Sequence, residues 1–201
     1  MAWAPDYVTS DDLASYIRID DTDDDAELTS AATTGARAID NATNRQFGKV
    51  DEPELRRYRA RPDYSGHGYW VVDVDDFHTT AGLVVTVDGT VVTAAGYEPA
   101  PVNSAALGRP WWRIAFTADA EAYPDTHPHT VDVVAAWGWA DVPPAVIAAN
   151  LLQGARFFKR RDAPFGVAGS PDQGSEMRLL ARVDPDVYVA LGPYRRARPP
   201  Q

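Results

Sequence analysis

The fold of this chain is decided by the stretch LVVTVDGTVVT, residues 83–93. Two β-branched runs flank the dipeptide Asp88-Gly89, which favours the type I′ turn of a two-residue hairpin. The sequence therefore predicts a β-hairpin near the middle of the chain.

Further segments with a period of two surround this hairpin, between Pro53 and about Val134. They predict strands at 55–60, 69–74, 111–116 and 130–135. The segment 118–128 contains Pro124 and Pro128, and it predicts a loop between the last two strands. The middle of the chain is thus an antiparallel β module.

Helical spacing replaces this pattern on the N-terminal side. Thr9 is the predicted N-cap of a short helix, with Asp12 in the position of the capping-box glutamate. A longer helix is predicted from Asp23 to about Arg45. Its inward face is mostly small, so this helix should approach a neighbour closely; the face consists of Leu28, Ala31, Ala32, Gly35, Ile39 and Ala42.

Helical spacing also returns after the β module. Pro143 and Pro144 suit a helix start, and the predicted apolar face is Val146, Ile147, Leu151, Ala155 and Phe158. The segment 163–174 predicts a long loop, 184–191 a short last helix, and 194–201 a basic tail that does not pack on its own. We therefore expect an α+β fold: a helical bundle from 1–52 and 141–201, packed together, with an inserted antiparallel β module at 53–140.

Composition and charge exclude several classes of protein. The 201 residues include no cysteine, which excludes disulfides and thiolate chemistry, and the net charge of −10 disfavours general nucleic-acid binding. No apolar run is long enough for a membrane span, and the N-terminus lacks a signal-peptide pattern, so we expect synthesis in a cytoplasm. The segment from Asp6 to Glu27 contains nine acidic residues and one basic residue. The segment from Arg156 to Arg198 contains nine basic residues and five acidic ones.

Motifs for catalysis or metal binding are incomplete. The acidic run 20–25 fails as a calcium loop, because Ala26 and Ala32 stand where glycine and glutamate are needed. His127 and His129 could offer two imidazoles, but Asp125 is the only carboxylate near them, and His67 and His78 lie elsewhere in the β module. No nucleophile elbow is present. We predict no cofactor and no metal; a carboxylate-dependent hydrolase using Asp73, Asp75 and Asp76 stays a remote alternative.

Two further patterns have a structural and a functional interpretation. Arg57, Arg59 and Arg61 alternate along a strand, which indicates either phosphate or acidic-partner contacts or a charged edge strand; we favour the edge strand. Trp137-Gly138-Trp139 predicts a corner at which two indoles pack over the base of the next helix.

Two blocks of sequence together resemble the head–tail connector (adaptor) proteins of long-tailed bacteriophages. The first runs from Tyr7-Val8-Thr9-Ser10-Asp11-Asp12 through the acidic run and the alanine-rich helix to Asn44-Arg45-Gln46-Phe47. The second runs from Trp137-Gly138-Trp139 through Val142-Pro143-Pro144, the glycine loop at 166–174 and Asp184-Pro185-Asp186 to Gly192-Pro193-Tyr194-Arg195-Arg196. The β module is similar to an insertion in connectors of actinobacterial phages.

This resemblance implies a structural virion protein of the neck, made in a bacterial host, and no enzyme. Such proteins form a homo-oligomeric ring, commonly a dodecamer, beneath the portal; they extend the channel for double-stranded DNA and present a platform for the next tail-completion protein. The implied portal or ring interface is Phe165, Tyr194, Arg195, Arg196 and Arg198, and the acids expected to face the channel are Asp20, Asp21, Asp23, Asp24 and Asp25. The alternative within this class is another neck protein, such as a stopper or a tail-completion (terminator) factor.

Overall fold

The computed structural model describes residues 3–63, 70–124, 130–161, 167–168, 177–178 and 184–197. Within them the helices are α1 (Ser10–Ile17), α2 (Asp25–Thr43), α3 (Pro144–Arg160) and α4 (Pro185–Ala190). The strands are β1 (Glu54–Arg59), β2 (Arg61–Pro62), β3 (Trp70–Val87), β4 (Thr90–Val92), β5 (Tyr97–Ala100), β6 (Trp111–Phe116), β7 (Thr130–Trp137), β8 (Val167–Ala168) and β9 (Met177–Arg178). The predicted α+β class is confirmed.

The chain divides into two compact units. One, the helical unit, comprises Pro5–Arg45 and Val142–Arg198; the other, the β unit, is built around Gln46–Asp141 with the segment up to Ala4. The helices that flank the β module in sequence therefore fold together.

The β unit is an antiparallel sheet of seven strands with the order β1-β7-β3-β6-β5, while β2 and β4 also pair with β3. Its core is one layer of β-branched and aromatic side chains, which includes Val72, Val85, Ile114, Val133 and Trp137. The predicted hairpin forms between β3 and β4, and both Asp88 (φ 48°) and Gly89 (φ 82°) adopt the positive φ of a type I′ turn.

The long strand β3 corrects the sequence prediction. Residues 69–74 and 83–87 were expected as separate strands, but β3 runs continuously from Trp70 to Val87. Irregularities in its register with β6 and β7 bend the strand without ending it. Between the two predicted strands, apolar and polar residues do not alternate. Phe77 lies in this segment and is fully buried, and its burial keeps the segment in the sheet.

The strands β1 and β5 lie at the two ends of the strand order. The predicted charged edge is confirmed for β1, where Arg57 lies opposite Asp132 of β7 and pairs with it at 2.6 Å. Arg61, in contrast, lies in β2 beside β3. Strand β5 was not predicted because it contains Pro99; an edge strand tolerates proline, since one of its sides forms no ladder.

The helical unit begins with the predicted capping box. The Thr9 hydroxyl accepts a hydrogen bond from the Asp12 backbone N–H at 3.1 Å, and the Asp12 carboxylate accepts one from the Thr9 N–H at 2.9 Å. The bond from the Thr9 N–H, together with one that the Thr9 hydroxyl donates to the carboxylate at 2.8 Å, lowers the pKa of Asp12, so the carboxylate stays ionised at the positive end of the helix dipole. Helix α2 ends at Asn44, which adopts a left-handed conformation at φ 53°.

The small face of α2 approaches α3 closely, as predicted. A Cβ placed on Gly35 would lie 2.6 Å from the Asn150 Oδ1 and 3.2 Å from the Gly154 N. The apolar face expected for α3 is only partly right, because Ile147 is 37% exposed and the buried side includes Asn150. Close backbone approach selects small and compact residues over the larger aliphatic ones.

Candidate assembly surfaces

The acidic run before α2 lies on the surface of the helical unit. Asp20, Asp21, Asp23 and Asp25 are exposed, whereas the fifth acid, Asp24, is half-buried. Within the run, the Asp21 Oδ1 accepts a hydrogen bond from the Asp23 N–H at 3.2 Å. The structure thus presents four of the five predicted acids to solvent.

Asp24 has a different role from the one expected. It is the N-cap of α2, but its side chain makes no capping hydrogen bond. Its carboxylate pairs instead with the guanidinium of Arg161, directly after α3. This ion pair connects the start of α2 with the end of α3. It also neutralises the charge of Asp24, so this acid adds little to the negative charge of the run.

The tail corrects another expectation, because its first residues pack within the helical unit. The Arg196 backbone N–H donates to the Thr43 carbonyl at 2.9 Å, and the Asn44 Nδ2 donates to the Arg196 carbonyl at 3.0 Å. Backbone hydrogen bonds thus hold this segment at the C-terminal end of α2, whose last carbonyls need donors. Tyr194 is half-buried in a 3₁₀ turn, Gly192–Tyr194.

Of the other predicted interface residues, Arg195 is exposed, and its guanidinium lies 3.7 Å from the centre of the Tyr188 ring. Phe165 and Arg198 lie outside the described residues. The same holds for His67, His127 and His129, and for most of the predicted loop 163–174, although β8 pairs with β9 across part of it.

Asp73, the first acid of the hydrolase alternative, is bound between two arginines in the β unit. Its Oδ1 accepts a hydrogen bond from the Arg113 Nε at 2.7 Å, and its Oδ2 accepts one from the Arg61 Nη2 at 2.8 Å. Burial opposes ionisation, but these two partners outweigh it and lower the pKa of Asp73. A carboxylate held ionised in this way cannot donate a proton near neutral pH.

The other two acids of that alternative are also engaged in structural contacts. Asp75 pairs with Arg56 at 2.8 Å and accepts a hydrogen bond from the Tyr58 hydroxyl at 2.9 Å. Asp76 is buried and accepts one from the Trp139 indole N–H at 3.0 Å. All three acids of the alternative therefore make structural contacts along β3.

Gly138 explains the corner after β7. It adopts φ 104°, and a Cβ there would lie 2.0 Å from the Gly48 carbonyl oxygen. The neighbouring Lys49 forms a β-bridge with Gly138. Only glycine allows this approach of two backbones.

Both indoles of the corner find partners inside the β unit. Trp137 is fully buried and donates to the Glu54 carbonyl at 2.7 Å, while the Trp139 ring lies 5.1 Å from that of Phe47. The expectation that they cover the base of the following helix stays a prediction. Groups of the β unit accept hydrogen bonds from both indole N–H groups and pack against the apolar surface of the rings.

Metal binding finds no support among the described residues, where no group of three or more histidine or acidic side chains could hold an ion. The one described histidine, His78, is half-buried in β3. Burial and the positive charge of Lys49 lower the pKa of His78. A hydrogen bond with the Ala136 backbone raises the pKa, but the first two effects are larger. His78 is therefore neutral at physiological pH.

Two apolar features of the helical unit were missed by the sequence analysis. The first is a groove of about 280 Å³ between α2 and α3, here called the α2–α3 groove and lined by Glu27, Ser30, Ala31, Thr34, Phe157, Phe158 and Arg161. The second, here called the α4 knob, is an exposed patch formed by Tyr188 and Val189 of α4 and by Arg195, whose guanidinium lies over the Tyr188 ring. The sequence does contain a pattern that indicates the knob. Consecutive residues of a helix point to different faces, so the short helix α4 cannot bury Val187, Tyr188 and Val189 together.

Comparison with known proteins gives a match among solved structures. No protein-family model matches the chain, and no curated protein matches it in sequence. A solved structure described as the neck of an empty GTA particle, computed with C6 symmetry, contains a chain of similar fold, with a TM-score of 0.54 and 17% identity. The match covers 98% of this chain and 94% of that chain. No helix among the described residues has the length and apolar character needed to span a bilayer.

Proposed function

We propose that this chain is a structural protein of the neck of a phage-like particle. The observation that carries the proposal is a likeness of fold, over nearly the whole of both chains, to a neck protein of a GTA (gene transfer agent) particle. The engagement of Asp73, Asp75 and Asp76 in structural contacts removes the acids on which the hydrolase alternative depended. Assembly, rather than catalysis, is the function that these surfaces support best.

Within the neck, we propose the role of head-to-tail adaptor, a ring that binds the portal and receives the next neck or tail-completion protein. The C6 symmetry of the similar particle is compatible with a ring of six copies or of a multiple such as twelve. In this proposal residues 1–52 and 141–201 form the connector domain, and the β module at 53–140 is added to it.

The proposed portal contact is the end of the basic tail, around Arg198. Purified chain mixed with its portal should form a ring-shaped complex that electron microscopy and mass measurement detect. Removal of 198–201 leaves the Arg196–Thr43 hydrogen bond intact and tests the end of the tail alone. Removal of 194–201 also deletes that bond, so its effect combines the loss of the tail with the loss of a contact to α2. The truncation of 198–201 is therefore the control for folding.

A stopper or tail-completion factor is the alternative neck role. Such a protein would share the ring but would bind tail components in preference to the portal. Binding of tail components by the intact chain, with no ring complex on the portal, would favour this alternative over the adaptor. A chain that stays monomeric and is absent from purified particles would refute both.

The exposed acids are proposed to face the DNA channel. Asp20, Asp21, Asp23 and Asp25 would repel the phosphate backbone, so that DNA passes without binding. The assembled ring should therefore not retain double-stranded DNA at low salt, whereas a ring with these four aspartates changed to asparagine should retain more. Equal retention by both rings would contradict the channel assignment.

A further inference from the structure

We infer that neighbouring copies of this chain are joined in the ring by insertion of the α4 knob of one copy into the α2–α3 groove of the next. The inference rests on the proposed function, because it needs a ring of identical subunits. It assigns that ring a specific contact within the helical unit.

The knob is an apolar surface without cover in a single copy. Val189 is 75% exposed and Tyr188 is 52% exposed, although both belong to a helix that buries its neighbour Val187 almost completely. The Arg195 guanidinium stacks on the Tyr188 ring, so the knob carries a positive charge on its aromatic part. A composite of aromatic and arginine side chains is typical of the residues that dominate protein interfaces.

The groove has the complementary size and chemistry. Ala31 and Phe158 are buried at its base and Phe157 is half-buried at its side, which gives an apolar lining. Its volume of about 280 Å³ is below that of most small-molecule sites and suits inserted side chains. Glu27 is exposed at the groove and offers a carboxylate to Arg195, whereas Arg161 already pairs with Asp24.

Contacts with α3 fix the start of α4 within each copy. The Arg156 Nη1 donates to the Asp184 carboxylate at 3.1 Å, and the Asp184 backbone N–H donates to the Gln153 side chain at 3.4 Å. With α4 held in this way, Tyr188 and Val189 stay largely exposed, so a copy does not fill its own groove with its own knob.

A cyclic ring requires this arrangement of two different patches. In rotational symmetry above two-fold, every copy uses one surface toward the preceding copy and another toward the following one.

Cysteine cross-linking tests the contact directly, because the natural chain contains no cysteine. The double variant Ser30→Cys, Val189→Cys places one thiol in the groove and one on the knob. A disulfide forms only where the two Cα atoms come within about 7 Å. Under mild oxidation this variant should give a ladder of covalent multimers that ends at the ring size.

The matched control pairs Val189→Cys with Thr29→Cys, an exposed position on the same helix that does not line the groove. We expect this pair and each single variant to give no ladder. If the ring forms but the groove pair cross-links no better than the control, the inference is overturned while the adaptor proposal stands. If the wild-type chain forms no ring, alone or with portal, both are overturned.

A charge exchange provides a second test that does not depend on oxidation. Glu27→Arg and Arg195→Glu should each weaken ring formation several-fold, and the double variant should recover it. Both positions are exposed, so circular dichroism should show unchanged folding in all three variants. Failure of the double variant to recover, with folding intact, would contradict the proposed pairing of Glu27 with Arg195.

Discussion

The contact between Gly35 of α2 and Asn150 of α3 allows a quantitative test of the helical unit. Asn150 is fully buried, and its Oδ1 and Nδ2 have no hydrogen-bond partner in the part of the chain that the structure describes. A Cβ on Gly35 would approach that Oδ1 to 2.6 Å, well inside the 3.4 Å at which ordinary contact begins. The two positions should therefore be energetically coupled.

Each single variant combines an effect that stabilises the fold with one that destabilises it. Gly35→Ala gains about 1 kcal/mol of helix propensity but incurs about 1–3 kcal/mol of overpacking, so we expect a net loss near 1 kcal/mol in the free energy of unfolding. Asn150→Ala loses packing but removes an amide whose burial without partners costs about 1–3 kcal/mol, so its net effect should be close to zero.

The double variant should be more stable than the sum of the single variants predicts. Without the Asn150 amide, the new Cβ meets the Gly154 N at 3.2 Å as its nearest neighbour and fills the vacated space. We expect a favourable coupling of about 1–2 kcal/mol. Urea denaturation followed by the helical circular dichroism signal, with midpoint and slope compared, measures it.

Ser30→Ala is the control for helix propensity, since it is exposed on α2 more than one turn from Gly35. Its effect should add to that of Asn150→Ala. Additivity of Gly35→Ala and Asn150→Ala within about 0.5 kcal/mol would refute the close packing of α2 on α3.

Three further predictions concern the β unit. Gly138→Ala should destabilise the protein by about 3 kcal/mol, because it combines a positive φ with a clash against Gly48; an unchanged melting temperature would contradict this. Asp73→Asn should cost about 2 kcal/mol in urea denaturation, allowing for solvent screening of the part-exposed arginines, whereas Asp132→Asn, whose ion-pair partner Arg57 is exposed, should cost clearly less. The lowered pKa of His78 means that the unfolded chain takes up its proton first as the pH falls below about 6.5, so stability should decline there. His78→Gln should make this decline smaller, and an identical pH profile in both proteins would exclude the contribution.

The sequence by itself determined the local elements whose signals come from nearby residues. The capping box at Thr9 and Asp12, the turn at Asp88-Gly89 and the start of α3 at Pro144 each need only a few adjacent residues to form. The α+β class followed from the change of period along the chain. The small face of α2 also predicted close helix packing, because Gly35 leaves room that no other residue leaves.

Tertiary structure decided the features that depend on distant partners. Asp24 does not cap α2 because Arg161, which follows α3, takes its carboxylate, and β3 continues through Phe77 because the sheet buries that ring. The α2–α3 groove exists only where the two helices meet, so no local pattern reports it. Local sequence sets which conformations are accessible to each segment, whereas long-range packing determines which side chains remain exposed for assembly.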